Sequence, residues 1–343
     1  YWLAKCYLNG NYVKEDRDRA MSLLRTAHLG NYTEATYELA CCLHSAKSVK
    51  DAYHALDEAR ELYQIAAAKG HMNAAYDLGM ILLNSPEIFH DYQKAFKYFR
   101  IAANLNHPQA IIELARLYET GSGTRKNLHE AFLLYQKAAN LGEISGTYHL
   151  ALYYLNKNGT KLNYEKAKSL LEIASPKIPA AKYELGLLFL NGIGCQKDIS
   201  KGIELLEEAC KSGNVDAKIQ LGKCYQYGIG YQQNYKKAYE LIFQSSKSSN
   251  EGKFLLAEYY MKGIGVGKRE DESVIILNDL STNEKYLPAI IKLGEYYIES
   301  PNSKEELLSK GIALLKEASA KKSAKAMTLL GICHYNGRYL QKS

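Results

Sequence analysis

The chain of 343 residues is longer than one ordinary hydrophobic core supports, so a globular fold would need two or three domains. A content of 47% hydrophobic and 24% charged residues disfavours intrinsic disorder, and no apolar run reaches the roughly 18 residues that a membrane-spanning helix needs. We therefore expect no direct membrane span. The net charge of +7 is spread along the chain without a basic arm, so we also expect no nucleic-acid partner.

One short pattern recurs along the whole chain, beginning at its first residues. It consists of a small residue, three variable residues, a leucine, a second small residue and, four positions after the leucine, usually a tyrosine. Successive leucines are 35 to 39 residues apart. The ten leucines are Leu3, Leu39, Leu78, Leu114, Leu150, Leu185, Leu221, Leu256, Leu293 and Leu330. Such regular spacing predicts an array of repeats in place of several globular domains.

The residues around each leucine predict the first helix of a repeat. Positions four before and four after the leucine share one helix face, as Ala110, Leu114 and Tyr118 do. In several repeats the residue after the leucine is glycine, for example Gly79. A glycine inside a helix costs about 1 kcal/mol relative to alanine. We therefore expect that these glycines allow a neighbouring helix to approach closely.

A second helix is predicted in each repeat, after a turn. It begins near a charged residue followed by alanine, as at Lys94-Ala95, and ends near a pair of small residues, as at Ala102-Ala103. Glycine in the turn permits the positive φ that ends a helix. The glycine turns are Gly121-Ser-Gly123, Gly192-Ile-Gly194, Gly228-Ile-Gly230 and Gly263-Ile-Gly265. The eighth repeat departs from the pattern: we expect a weak second helix over Ser273–Leu280, because the small pair is missing there.

The sequence motifs of common catalytic and cofactor sites are incomplete. The glycine-rich stretch Gly263–Lys268 is followed by Arg269, whereas a phosphate-binding loop requires Ser or Thr. Leu133 stands where a zinc protease would carry the second histidine after His129. We therefore expect no enzymatic activity, no cofactor and no metal site.

The seven cysteines have no C-x-x-C spacing that would indicate a zinc or redox site. Four of them occupy one repeat position, three residues after the leucine: Cys6, Cys42, Cys224 and Cys333. We interpret these residues as small members of the core. Free thiols favour a reducing compartment, so we expect the cytoplasm, with the lumen of the endoplasmic reticulum as the alternative.

Taken together, the A-x-x-x-L-G-x-x-Y helix, the Lys-Ala start, the Gly-x-Gly turn and finishes such as Ala138–Gly142 resemble the Sel-one-like repeat (SLR) family. The tetratricopeptide repeat has a period of about 34 residues, shorter than the mean interval of about 36 here. The resemblance covers essentially the whole chain. It implies an all-α, right-handed α-α superhelical solenoid of about ten helix pairs that binds other proteins.

A row of polar residues is predicted on the first helices, at the position directly before the leucine. Its members are Glu38, Asp77, Glu113, His149 and Glu184. Stacked repeats would place these side chains in line. Our hypothesis is that the row contacts a basic or hydrogen-bonding segment of a partner; the alternative is an ordinary solvated helix face. Arg116 would neutralise part of the row.

The function we predict is that of a non-enzymatic scaffold or adaptor, which binds partner proteins through its solenoid surface. SLR proteins include activators of chitin synthase and lumenal adaptors of endoplasmic-reticulum degradation ligases. The alternatives are therefore a regulatory or activator subunit of an enzyme, or such a lumenal adaptor. We expect one solenoid over residues 1–343 that is interrupted within a repeat at both ends, because Ser343 precedes the second helix that Leu330 implies.

Overall fold

The structure is a computed structural model that describes residues 1–45, 52–84, 91–156, 161–299 and 305–335, without the side chains of residues 52 and 53. These ranges contain 19 α-helices and no β-strand. The all-α solenoid of helix-pair repeats that the sequence predicts is confirmed. No helix within these ranges combines the length and the apolar character needed to cross a membrane.

Each of the ten leucines lies in the first helix of a pair. The first helices are α1 (Trp2–Asn9), α3 (Thr33–His44), α5 (Met72–Asn84), α7 (Pro108–Thr120), α9 (Ile144–Asn156), α11 (Pro179–Asn191), α13 (Val215–Tyr227), α15 (Asn250–Lys262), α17 (Leu287–Glu299) and α19 (Ala324–Tyr335). The second helices are α2 (Arg17–Leu29), α4 (Ala52–Ala68), α6 (Tyr92–Asn104), α8 (Leu128–Asn140), α10 (Tyr164–Ala174), α12 (Ile199–Lys211), α14 (Tyr235–Ser245), α16 (Glu270–Thr282) and α18 (Glu305–Ala320).

The helices form two compact units. Unit 1 is Tyr1–Ile178 and contains α1 to α10; unit 2 is Pro179–Ser343 and contains α11 to α19. Within each unit the two helices of a repeat pack against each other, and the second helix also packs against the next first helix. Each helix therefore contacts mainly its neighbours in sequence, which is the organisation of a repeat protein.

The two helices of a repeat approach closely at the residue that follows the leucine. A Cβ atom added to Gly79 would lie 2.7 Å from the ring of Phe99, a residue of α6 that is fully buried. At Gly222 the corresponding distance to Ile242 of α14 is 3.0 Å. The packing reason that the sequence predicts for these helical glycines is confirmed.

The glycine turns join consecutive repeats as well as the two helices of one repeat. All eight glycines of the four predicted turns have φ between 67° and 79°, a region that other residues rarely adopt. A Cβ atom on Gly265 would lie 2.0 Å from the carbonyl oxygen of Tyr235, in the first turn of α14. Gly123 approaches the carbonyl oxygen of Tyr92 in the same way. A turn therefore packs on the beginning of the preceding second helix.

The second helix of the eighth repeat corrects one expectation. The weak helix predicted over Ser273–Leu280 is in fact α16, with 13 residues, the same length as α6, α8 and α12. Ser273 stands where other repeats have alanine, and its hydroxyl donates a hydrogen bond to the carbonyl oxygen of Ala257 at 2.7 Å. Ser281 is also buried. The prediction was wrong because α16 does not require the small pair: Leu280 stands at its first position and is fully buried.

Candidate protein-binding surface

The predicted polar row lies on the first helices, and four of its five residues are in unit 1. Glu38, Asp77, Glu113 and His149 belong to α3, α5, α7 and α9, whereas Glu184 belongs to α11 in unit 2. We call the exposed side of α1, α3, α5, α7 and α9 the first-helix face of unit 1. The surroundings of each residue in the row differ.

Glu38 is joined to the preceding first helix by an ion pair. Nζ of Lys5 in α1 lies 3.2 Å from Oε1 of Glu38. Hydrogen bonds to Tyr1 and to Glu38 raise the pKa of Lys5. Because 37% of the Lys5 side chain and 24% of the Glu38 side chain are exposed, the pair stabilises the fold only slightly and stays accessible.

Asp77 is more enclosed, and its carboxylate is held in one orientation. Oδ2 accepts a hydrogen bond from the Tyr37 hydroxyl at 2.9 Å, and the Tyr37 ring stacks on His71 with 4.3 Å between centroids. Burial raises the pKa of Asp77, although the Tyr37 hydrogen bond and the nearby His44 act in the opposite direction. A fixed acceptor of this kind costs a ligand little conformational entropy.

His71 and His107 are the N-caps of α5 and α7, a role that was not predicted from the sequence. Nδ1 of His71 and of His107 each accepts a hydrogen bond at 3.2 Å from the backbone N–H three residues later. Tyr76 stacks on His107 at 4.4 Å, as Tyr37 stacks on His71. Burial lowers the pKa of both histidines. In the sequence, the tyrosine stands two residues before the leucine of one repeat, and the histidine stands seven residues before the leucine of the next repeat.

Glu113 is paired within its own helix. Nη1 of Arg116 lies 3.1 Å and 3.0 Å from its two carboxylate oxygens. The pair borders an open cleft of about 350 Å³ between α5 and α7, whose apolar lining includes Met80, Leu83 and Leu117. Arg116 therefore neutralises part of the row, as the sequence indicated.

His149 occupies a junction that resembles the Asp77 junction with acid and histidine exchanged. Its ring stacks on Tyr135 at 4.7 Å, and the Tyr135 hydroxyl donates to Oε2 of Glu119 at 3.1 Å. Burial lowers the pKa of His149, against the charge of Glu119. In both places, the residue directly before the leucine of one repeat lies near the residue five positions after the leucine of the preceding repeat. The pairs are His149 with Glu119 and Asp77 with His44.

Glu184 differs from the other acids of the row. Burial, and then the charge of Asp216 on α13, raise its pKa. It makes no hydrogen bond or ion pair with the part of the chain that the structure describes. The row is thus a set of separately placed groups, in which Lys5 and Arg116 balance two of the charges.

The cysteines, acids and histidines form neither a disulfide nor a metal-binding group within the described ranges. All seven cysteines are free thiols. Cys42, Cys224 and Cys333 are buried as interpreted, and burial raises the pKa of Cys224 to about 11, while Cys6 is only partly buried. Within the described ranges, no three or more His, Cys, Asp or Glu residues are placed to hold a metal ion.

The stacked helix pairs and their glycine turns define a helical repeat protein of the α-solenoid class. The Sel1 repeat family matches nine segments, which together span most of the chain: residues 1–27, 33–71, 73–107, 108–143, 144–175, 179–214, 215–250, 251–273 and 324–343. The chain belongs to the Sel1 repeat family. Helices α17 and α18 continue the repeat between the last two matched segments.

Two solved structures show the same fold. One is c5321, described as a protective antigen present in uropathogenic Escherichia coli strains, with a TM-score of 0.62 and 21% identity, covering 92% of this chain and 67% of its own. The other is a Sel1 repeat protein from Oxalobacter formigenes, with a TM-score of 0.62 and 20% identity, covering 91% and 89%. No protein of curated function matches the sequence significantly.

Proposed function

We propose that this protein is a non-enzymatic scaffold or adaptor that binds a partner protein through the first-helix face of unit 1. The observation that carries the proposal is that three successive first helices present an acid held by a neighbouring side chain. Glu38 is held by Lys5, Asp77 by Tyr37 and Glu113 by Arg116. The Sel1 repeat fold, which typically mediates protein–protein interaction, supports it.

The chemistry of this face favours a basic or hydrogen-bonding segment as the ligand. The carboxylates of Glu38 and Asp77 offer acceptors whose direction is already set, so binding would cost little side-chain entropy. The cleft beside Glu113 adds apolar contacts from Met80 and Leu83. Such a mixture of oriented polar groups around an apolar patch is typical of protein interfaces.

The test is affinity purification of the full-length protein from its native cells, with crosslinking and mass spectrometry. A triple variant, E38Q/D77N/E113Q, removes the three charges while keeping side-chain size and hydrogen-bonding oxygens. We expect partners crosslinked to α3, α5 and α7, and their recovery should fall about tenfold in the variant, at about 0.5 kcal/mol for each charge. Charge reversal at Glu184 is measured separately, because that residue belongs to unit 2.

The matched control is E15Q/E61Q/E165Q, which neutralises three exposed acids elsewhere in unit 1. Its recovery of partners should equal that of the wild type, and both variants should unfold at the wild-type temperature. Undiminished binding by the row variant would refute the proposed face. An enzyme among the partners, with a rate that the protein changes, would instead favour the regulatory-subunit alternative.

We also propose the cytoplasm as the compartment, with the lumen of the endoplasmic reticulum as the alternative. The support is the seven free thiols, three of them buried. Thiol alkylation of the protein in intact cells, before lysis, tests the proposal. When the protein is then denatured without a reductant, we expect all seven cysteines to have reacted. Cysteines that react only after a reductant is added would indicate disulfides and the lumen.

A further inference from the structure

Five repeats place a cation over the aromatic ring that follows the leucine by four residues. The cation comes from the first turn of the second helix or from its N-cap. The pairs and cation-to-centroid distances are Arg19–Tyr7 5.1 Å, Lys166–Tyr154 4.8 Å, Lys201–Phe189 4.2 Å, Lys237–Tyr225 5.3 Å and Arg269–Tyr260 5.3 Å. In unit 2 the last three come from consecutive repeats, so the edge that carries their turns presents a series of cations.

Two of these repeats carry, at the start of the second helix, lysines that have no acidic partner. Lys197, Lys201, Lys236 and Lys237 are exposed, and none forms an ion pair within the described ranges. In the next repeat, by contrast, Lys268 is paired with Glu270. These four lysines are therefore available to an external anion, whereas Lys182 and Lys223 of the same repeats are paired with Glu208 and Glu251.

The acids beside these lysines are engaged in other contacts or leave the lysines unpaired. The Asp198 carboxylate caps α12 by accepting the backbone N–H of Lys201 at 2.9 Å. Glu207 accepts the hydroxyl of Tyr231 at 2.6 Å. Glu204 and Glu240 come three residues after Lys201 and Lys237, but neither forms an ion pair within the described ranges. Lysine in the first turn of a helix opposes the helix dipole, so helix stability does not explain these positions.

The turn of the seventh repeat is a rigid assembly of tyrosine and glutamine. The rings of Tyr225 and Tyr231 stack with 4.1 Å between centroids. Nε2 of Gln233 donates to the carbonyl oxygen of Gln226 at 2.8 Å and to the Tyr235 hydroxyl at 3.0 Å. These contacts fix the turn on both sides before any partner arrives.

Two tyrosines of this assembly remain open to solvent. Tyr227, at the end of α13, is 66% exposed, and Tyr235, at the start of α14, is 49% exposed. The hydroxyl of Tyr259 in α15 donates to Oε1 of Gln226 at 2.7 Å, which joins the end of α13 to the next repeat. Tyrosine offers a large contact area with few rotatable bonds, which is why it is frequent in binding surfaces.

We propose that Lys197, Lys201, Lys236, Lys237, Tyr227 and Tyr235, here called the lysine–tyrosine surface, bind an acidic segment of a partner protein. This inference rests on the proposed function as a protein scaffold, but it concerns unit 2 and a ligand of opposite charge. The lysines attract and orient an acidic segment, and the exposed rings of Tyr227 and Tyr235 supply the apolar contact. The scaffold would then hold an acidic ligand on unit 2 and a basic one on unit 1.

Fluorescence anisotropy of three labelled probes with the full chain tests this surface. The probes are a peptide in which Glu and Asp alternate with Phe and Gly, the same peptide with Gln and Asn, and a single-stranded RNA. We expect the acidic peptide to bind more tightly than the neutral one, with an affinity that falls as salt is added. The variant K197E/K201E/K236E/K237E should weaken it about tenfold or more, which is the combined effect of four exposed ion pairs.

The matched control reverses four exposed lysines elsewhere, Lys14, Lys97, Lys177 and Lys211, which changes the net charge equally. It should bind the acidic peptide nearly as well as the wild type. Tyr227→Ala should also weaken binding, whereas Tyr12→Ala, at a fully exposed residue, should not. Equal losses in both lysine variants, or equal binding of acidic and neutral peptides, would overturn the proposal. Preference for RNA over the acidic peptide would do the same.

The outcome separates this inference from the proposed function. If E38Q/D77N/E113Q loses its crosslinked partners while the acidic peptide ignores the lysine–tyrosine surface, the scaffold stands and the second surface fails. If the acidic peptide binds at the surface but no partner contacts unit 1, the proposed face fails instead.

Discussion

Single polar side chains cap the helices at the junctions between repeats. His107 accepts the backbone N–H of Ala110 at 3.2 Å, beneath the ring of Tyr76. Asn214 has the same role before α13, where it accepts the N–H of Ala217 at 2.7 Å. Neutral imidazole and amide are interchangeable here because each offers an acceptor to the helix N-terminus. They differ in that only the histidine can take up a proton and lose the cap.

Stability should therefore depend on pH through His107. Burial lowers the pKa of His107 more than the charges of Asp77 and Glu143 raise it. A histidine with a lowered pKa in the folded chain contributes stability that is complete above its unfolded value of about 6.5 and is lost as the pH falls below it. We expect the wild type to lose more free energy of unfolding than H107N between about pH 7 and about pH 5, measured by denaturant titration.

The asparagine in H107N keeps an acceptor at the N-cap, so the comparison isolates the proton. His129→Asn, at an exposed histidine, serves as the control and should follow the wild type. An equal loss of stability in the wild type and H107N would show that His107 does not protonate in this range.

At the scale of the helix, contact within a repeat depends on a small residue facing a large one. Gly79 in α5 faces the fully buried Phe99 of α6, and Gly294 in α17 faces Leu315 of α18. Gly331 occupies the same position in α19, but a Cβ atom there would meet no atom of the described residues within 4 Å. The same residue type at the same repeat position is thus required in one helix and unconstrained in another.

Replacing these two glycines by alanine should have opposite effects. Gly79→Ala should lower the free energy of unfolding by about 1–3 kcal/mol, because the Phe99 ring must move in a packed interior. Gly331→Ala should leave stability unchanged or raise it by up to about 1 kcal/mol, since alanine is the better helix former. Thermal and denaturant unfolding measure both changes, and destabilisation of similar size in both variants would contradict the packing argument.

For the whole molecule, contacts between neighbouring helices imply that disturbance stays local. Within each unit, a helix packs mainly on the helices before and after it. The free energy of such an array is approximately a sum over repeats and the interfaces between them. A change in one repeat should therefore act on the adjacent repeats first.

Hydrogen exchange of the Gly79→Ala variant measures how far the disturbance extends. Amide exchange should become faster in α5 and α6 and, to a smaller extent, in α4 and α7, while α13 to α16 of unit 2 exchange as in the wild type. The same measurement on Gly331→Ala provides the reference. Uniform acceleration along both units would show that the repeats unfold together, contrary to the prediction.

The order and type of the helices could be predicted because the repeat writes them locally. A leucine every 36 residues or so, with small residues at helical spacing, defines which faces meet. The error at α16 arose from treating the small pair as a requirement, whereas Leu280 at its first position is accommodated in the core. The residues of the predicted row lie on first helices, and of their contacts only the pairing of Glu113 with Arg116 was predicted.

The sequence by itself determined the class of fold and the order of the helices, because these follow from periodicity and side-chain size over short distances. Only the tertiary structure decided which charges are balanced. Lys5 meets Glu38, and Tyr37 meets Asp77, across separations of 33 and 40 residues. Lys236 and Lys237 meet no acid within the described ranges. Such pairings depend on side-chain direction and helix separation, which residue spacing alone does not specify.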